Sequence, residues 1–210
     1  MFIDGIGLAV ERLELMSSRY WIGAIVLISL IGISFAGPIM SKVEEPEYVV
    51  EASDSNIEIR NYSSMILAEV EVKGRREDAI REGFRIIADY IFGHNASSKE
   101  ISMTAPVQQQ QVNNNWRVSF VMPSEYSRNS LPKPFKENLF IRELSPTRYV
   151  VIKFSGFSTK DNLERHETAL SVFVKNNSLK VVGTPKYAFY NPPWTLPFMR
   201  RNELMLQLAE

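Results

Sequence analysis

The sequence predicts an α+β domain. A duplicated unit builds a curled, mostly antiparallel sheet or open barrel with two main flanking helices, and one transmembrane helix precedes it. Three observations predict this. Short runs alternate apolar and polar residues with period two, two longer runs repeat with a helical period, and the order strand, glycine, helix, strand, strand occurs twice. A single uncharged stretch lies ahead of them all.

That stretch runs from Tyr20 to Met40, 21 residues without a charge. As a helix it would be roughly 31 Å long, enough for the hydrocarbon core of a bilayer. Tyr20 and Trp21 suit one interface and Pro38 marks the other end. A cleavable signal peptide is the competing reading, since Ser34-Phe35-Ala36 offers small residues for cleavage near Ala36. The stretch exceeds the about 7 to 15 residues of a signal-peptide core, which favours a retained signal anchor. Arg12 and Arg19 precede it, while Glu44, Glu45 and Glu47 follow Lys42. That bias places a short segment, 1–19, in the cytoplasm, with 20–40 as a single-pass membrane segment and 41–47 as an acidic linker. The large domain, 48–210, is then extracytoplasmic, and it is exported under either reading.

Within the domain, Ile57–Tyr62 and Ala68–Val72 alternate as half-buried strands do. Arg75 to Phe92 reads as a helix, with Ile80, Gly83, Phe84, Ile87 and Ile91 on one face, Glu77 and Asp78 in its first turn and Gly93 at its end. Gln108–Gln111 and Asn113–Asn115 read as a polar hairpin excursion, and Pro106 as an edge or bulge position. Trp116, Val118, Phe120 and Met122 alternate as the next strand. The second half begins with strands at Leu139–Leu144 and Tyr149–Ser155, and Gly156 stands where Gly74 stood. A helix over about Thr159 to Val174 carries Leu163, His166, Leu170 and Phe173 on one face, with Asn176 and Asn177 as its terminator. Tyr187–Tyr190 and Glu203–Leu208 complete the chain as strands. Two helices cannot cover both faces of such a sheet, so a cleft between the halves is expected to hold the function.

Composition excludes several classes. The 24 basic and 24 acidic residues cancel, so the chain lacks the net basic character that nucleic-acid partners require. With no cysteine there is no disulfide, no thiol nucleophile and no thiolate metal site. Glu69, Glu71 and Glu203 are the carboxylates on strands that could serve as a base, but no nucleophile elbow or paired metal-ligand motif accompanies them, and no enzyme is expected.

Four groups of segments carry a resemblance. They are Ile57-Glu-Ile-Arg-Asn-Tyr62; Gly83-Phe84 with Tyr90-Ile-Phe-Gly-His-Asn95; Ile101-Ser-Met-Thr-Ala-Pro-Val107 with Phe120-Val-Met-Pro123; and Phe154-Ser-Gly-Phe157 with Tyr190-Asn-Pro-Pro193 and Arg200-Arg-Asn-Glu203. In this order they resemble the SOUL family of haem-binding proteins, from about Tyr48 to the C-terminus. The resemblance implies a pseudo-twofold distorted barrel with two flanking helices. It also implies haem or another tetrapyrrole held non-covalently in a hydrophobic cleft beside the first helix, at Arg81 and Phe84.

Iron ligation draws on His, Met, Cys or Tyr. His94 follows a helix-terminating glycine and His166 lies on a helix face, so each reads more simply as a capping or packed residue than as a ligand. Met103 reads more simply as core filling. Where some SOUL proteins place a ligand histidine before the tyrosine of the first motif, this chain has Asn61. Hydrophobic capture without strong axial ligation is therefore expected. Arg81, Phe84 and Ala88 form one stripe of the first helix, and the loop from Asn191 to Arg201 adds Trp194, Met199, Arg200 and Arg201 to meet the macrocycle and its propionates. Arg81 reads equally as a solvated charge, and the two arginines as partners that fix the last strand. The function expected is tetrapyrrole binding at a membrane surface. The alternative is a non-catalytic effector-binding module for other small hydrophobic ligands.

Overall fold

A computed structural model describes residues 43–209. Nine strands and two helices follow one another as β1 (Tyr48–Asp54), β2 (Ile57–Tyr62), β3 (Met65–Lys73), α1 (Arg76–Ile91), β4 (Val107–Val112), β5 (Asn115–Val121), β6 (Leu139–Leu144), β7 (Thr147–Phe154), α2 (Lys160–Asn176), β8 (Val181–Phe189) and β9 (Asn202–Leu208). The strands form one sheet in the order β1-β2-β7-β9-β8-β4-β5-β3-β6, and every neighbouring pair is antiparallel.

Two parts of the expected fold are corrected. The sheet is open and not a barrel, because β1 and β6 end it on opposite sides and do not pair. The described fold also contains no transmembrane helix. The stretch 20–40 lies outside the described residues, and among those described no helix is long and apolar enough to cross a membrane.

The order of strands has a pseudo-twofold centre between β4 and β8. Each half of the sheet takes its outer strand from the other repeat: β2 lies beside β7, and β6 beside β3. The offset that carries Gly74 onto Gly156 also carries Arg60 onto Arg142. Both glycines have φ near +100°, a left-handed turn that leads into each helix without the strain a Cβ would add.

Both helices lie on one face of the sheet. Each buries a stripe against the strands beneath it. Ala79, Gly83, Ile86, Ile87, Tyr90 and Ile91 of α1 are buried, over Ala68, Val70, Val118 and Phe120. This stripe is rotated from the one the sequence pattern suggested, and Phe84 is left 39% exposed. A Cβ on Gly83 would stand 2.5 Å from Val118 Cγ2, so the glycine sets how closely α1 approaches β5. Thr159 Oγ1 caps α2 by accepting from the Asn162 backbone N–H. Leu163, Leu170 and Val174 pack on Val150, Ile152, Leu204 and Leu206.

The opposite face has no helix, yet a third cluster is buried there, with Tyr62, Tyr149, Val151, Tyr190 and Met205. The acidic stretch before β1 is docked and does not hang free. Pro46 is buried, the Ala105 N–H donates to Glu44 O, and the Ser63 N–H donates to Glu47 O. Gln108–Gln111, read as a hairpin excursion, are corrected to part of β4, one of the two central strands. Gln109 is fully buried because its side-chain amide donates to Arg76 O, and Arg76 Nη1 donates to its Oε1. Pro106 immediately precedes β4, outside the ladder, so a central strand tolerates it.

Candidate functional site

On the helix-bearing face, α1 covers β3 and β5 while α2 covers β7 and β9. The β4–β8 pair lies between them in the strand order, and the space over it between α1 and α2 is the candidate groove. Phe84 projects from α1 to an edge-on contact with Phe120, ring centroids 5.5 Å apart. Phe120 stands opposite Val107 on β4, Val107 opposite Phe189 on β8, and Phe189 opposite Asn202 on β9. With strands roughly 4.8 Å apart, the row from Phe120 to Phe189 spans about 10 Å, with Phe120 buried and Val107 and Phe189 partly exposed. At its far end Asn202 Nδ2 donates to Gly156 O, beside Phe157.

The loop 190–201 closes this end. Gly156 N–H donates to Pro197 O, and Arg200 donates from Nε to Thr195 O (2.8 Å) and from Nη2 to Pro193 O (2.5 Å). The Arg200 guanidinium lies 4.9 Å from the centroid of the Phe157 ring. Arg76 bridges the groove near the N-terminus of α1, bonding Gln109 on β4 and Ser158 O.

The structure thus sets the two parts of the expected site at opposite ends of one row, without a hydrogen bond, ion pair or ring contact between them among the described residues. Arg81 is exposed and paired with Asp78 at 2.5 Å. Ala88 is buried. Trp194 is 65% exposed, and Met199 and Arg200 are half-buried. Arg201 is committed elsewhere: it pairs with Glu203 and Glu45, and its guanidinium lies 3.7 Å from the Tyr190 ring centroid.

His94 has its contacts elsewhere, while His166 stands at the end of the row, over Phe154, the residue paired with Asn202. His94 Nδ1 is 2.8 Å from an Asp89 carboxylate oxygen, and its ring meets Phe135. His166 Nδ1 is 2.7 Å from Asn162 O, and its ring stacks on Phe154 at 4.1 Å. Asn61 is exposed on β2, and Met103 is 41% exposed after α1. Among the described residues no group of three or more His, Cys, Asp or Glu could hold a metal ion.

A cleft of about 460 Å³ lies elsewhere, near the β2–β3 turn and the segment after β5, and none of the expected site residues lines it. Its walls carry Glu44, Glu45, Glu47 and Glu143 against Arg128, the wrong sign for a ligand with two carboxylates.

Sequence reasoning missed a buried polar cluster on the helix-free face. Arg60 and Glu203 are fully buried and joined by two hydrogen bonds, of 2.9 and 3.0 Å. Tyr62 OH accepts from Arg60 Nη1, and Tyr190 OH donates to Glu203 Oε2. Burial opposes the Arg60 charge, but the Glu203 carboxylate outweighs it and holds the guanidinium pKa above its ordinary value. Burial, reinforced by the Glu203 charge, pushes both phenols well above the tyrosine range. Across the sheet, Arg142 makes the corresponding pair with Glu69 at 2.7 and 2.9 Å. There burial pushes the carboxyl up, but Arg142, Arg117 and Ser119 outweigh it and hold the Glu69 pKa below the usual range. With both carboxylates tied up in this way, neither is a free base. The one sequence signal was parity: Arg60 and Glu203 fall out of phase with the apolar residues of their strands that face α2.

Comparison with known proteins adds the following. The model of the family described as "SOUL heme-binding protein" matches residues 43–207. The chain is 28% identical to "Heme-binding protein 1" of Mus musculus over 151 residues, 68% of this chain and 78% of that protein. It is 29% identical to "Heme-binding protein 2" of Homo sapiens over 159 residues, 71% and 76% of the two. Among solved structures, the EcmrR C-terminal domain superposes with a TM-score of 0.58 at 11% identity, over 73% of this chain and 97% of that one. A hydrolase from Listeria innocua gives 0.53 at 9% identity, over 76% and 94%. At such identities the structures share a fold with this chain and nothing more is taken from them.

Proposed function

This chain belongs to the SOUL heme-binding protein family, and from that premise we propose that its domain binds haem or another tetrapyrrole in the inter-helix groove, at a membrane surface. One observation carries the reading. Phe84 stays exposed on α1 beside an apolar row, Phe120–Val107–Phe189, that ends at the arginine-bearing loop. A bound tetrapyrrole brings a flat apolar macrocycle and two carboxylates. Phe84 would pack on the macrocycle, Ala88 would leave space beside it, Trp194 and Met199 would cover its far edge, and Arg81 and Arg200 would meet the carboxylates. Arg201 supports the loop through Glu203 and Glu45.

His166 is half-buried at the end of the row with Nδ1 against Asn162 O and its ring on Phe154, so shape and charge, and not an axial histidine, would hold the ligand. The family is one of binding proteins, and the reading carries no catalytic step. The uncharged run Tyr20–Met40 supports delivery of the domain to the extracytoplasmic side, which protease protection in intact cells would test.

Titration with hemin tests the ligand. Saturable quenching of Trp194 at micromolar hemin is expected, and its absence would overturn the proposal. The engagement of Nδ1 of both imidazoles by other groups favours a second reading, a module for other small hydrophobic ligands. Equal or tighter quenching by unrelated apolar compounds would select it.

A further inference from the structure

The loop that closes the groove has an outer side, where the tetrapyrrole reading leaves Phe157, Leu196 and Phe198 without a role. Phe157, Trp194, Leu196 and Phe198 are 57, 65, 39 and 74% exposed. The Gly156 N–H bond to Pro197 O and the Asn202 bond to Gly156 O hold the two segments that carry them together. Arg200 fixes the turn by its two bonds to backbone carbonyls and places its guanidinium against the Phe157 ring. These apolar side chains are therefore displayed on a braced turn, and little ordering is left to be done on binding.

Among the described residues Arg200 is the cation of this loop that makes no ion pair, whereas Arg201 pairs with Glu203 and Glu45 and Lys160 with Glu164. Exposed rings beside a cationic side chain match the boundary between acyl chains and anionic headgroups, where the rings enter the apolar layer and the cation meets phosphate. The same chain holds 21 uncharged residues, Tyr20–Met40, ending two residues before the described structure begins at Val43.

We infer that this promontory is a lipid-docking surface, which seats the domain on an anionic bilayer through Phe198, Leu196 and Phe157, with the unpaired Arg200 near the headgroups in the unliganded protein. The inference rests on the membrane-surface location proposed above and is independent of haem.

The chain has no cysteine, so Phe198→Cys in the full-length protein can carry a single environment-sensitive nitrobenzoxadiazole label. The apo-protein is mixed with phosphatidylcholine vesicles with and without phosphatidylglycerol, and a Ser145→Cys label in the β6–β7 turn serves as reference. The 198 label should shift to the blue and be quenched severalfold more by doxyl-labelled lipid than the 145 label. The difference should shrink in pure phosphatidylcholine and at high salt. Leu196→Cys should behave like Phe198→Cys and replaces it if that variant folds poorly. Equal quenching at 198 and 145 overturns the inference, because residues 20–40 could hold the protein on vesicles without the loop. A blue shift that needs no vesicles but grows with protein concentration also overturns it, and makes the patch a contact between two copies. A shift that appears only with hemin assigns the patch to the ligand. Failure of the hemin titration with lipid quenching intact would leave this inference standing and remove only the tetrapyrrole.

Discussion

Arg60 and Glu203 lie 143 positions apart in the sequence and meet in a bidentate ion pair from which solvent is fully removed. Burying either charge alone would be costly, and the pair is tolerated because each charge meets the other and a second one, Glu58 on Arg60 and Arg201 on Glu203, with Tyr62 and Tyr190 adding hydrogen bonds. The pair joins β2, the outer strand contributed by the first repeat, to β9, the last strand of the second.

Arg60→Met should therefore destabilise the domain by about 1.5–3 kcal/mol, since it takes two charge-assisted hydrogen bonds from buried Glu203 and leaves the carboxylate to Arg201 and Tyr190. Arg60→Met combined with Glu203→Leu should cost clearly less than the two single changes added together. Urea denaturation of the three variants reads the coupling, and single variants within about 0.5 kcal/mol of the parent would contradict it.

Acid should weaken the fold in a defined window. The native pKa of Glu69 is lowered, so the carboxylate contributes stability that is fully present above the unfolded value, about 4.3, and is lost as pH falls through the lowered native value. Glu58, lowered by Lys153 and Arg60 against the opposing effect of burial, adds to the same fall. The melting temperature should drop from about pH 5 downward. Arg142→Met should lower it at neutral pH and make the acid fall shallower than in the parent. A variant with an unchanged pH profile would show that Arg142 does not hold the Glu69 charge.

Gly83→Ala tests the seat of α1. The added methyl meets Val118 at 2.5 Å on a side chain that is itself fully buried, so the helix must lift or the valine must turn. A loss of about 1–3 kcal/mol is expected by chemical denaturation. Gly83→Ala with Val118→Ala should recover part of it if the clash is the cause.

The fold was legible wherever local pattern decides it. The run Ile57–Tyr62 and the run Leu139–Leu144 coincide with β2 and β6, because each alternates between a helix-facing and an opposite side. The two helices follow from period, first-turn acids and terminating residues. β1 was not legible, since beyond Tyr48 every residue in it is exposed and no alternation marks it. Nor was β4, where glutamines stand at buried positions only because Arg76 and the neighbouring strands satisfy them. Whether the sheet closes depends on whether β1 meets β6, a long-range question on which the pattern within each strand is silent. In the candidate site the exposed Phe84 and the loop arginines were visible as residue types. That Arg201 serves Glu203 and Glu45 could not be seen, because those partners are fixed only by strand register and by the docking of residues 43–47.

The central property proposed for the domain is that the groove beside Phe84 takes a tetrapyrrole without an axial histidine. The direct measurement is the Soret spectrum of the protein titrated with hemin, alongside Phe84→Ser and the double variant His94→Ala with His166→Ala. The parent and the histidine variant should saturate at the same micromolar hemin with the same band, while Phe84→Ser should bind about tenfold more weakly, as expected for losing about 1.4 kcal/mol of ring packing. A parent without a saturable Soret shift, or a shift abolished by the histidine changes and indifferent to Phe84, would contradict it.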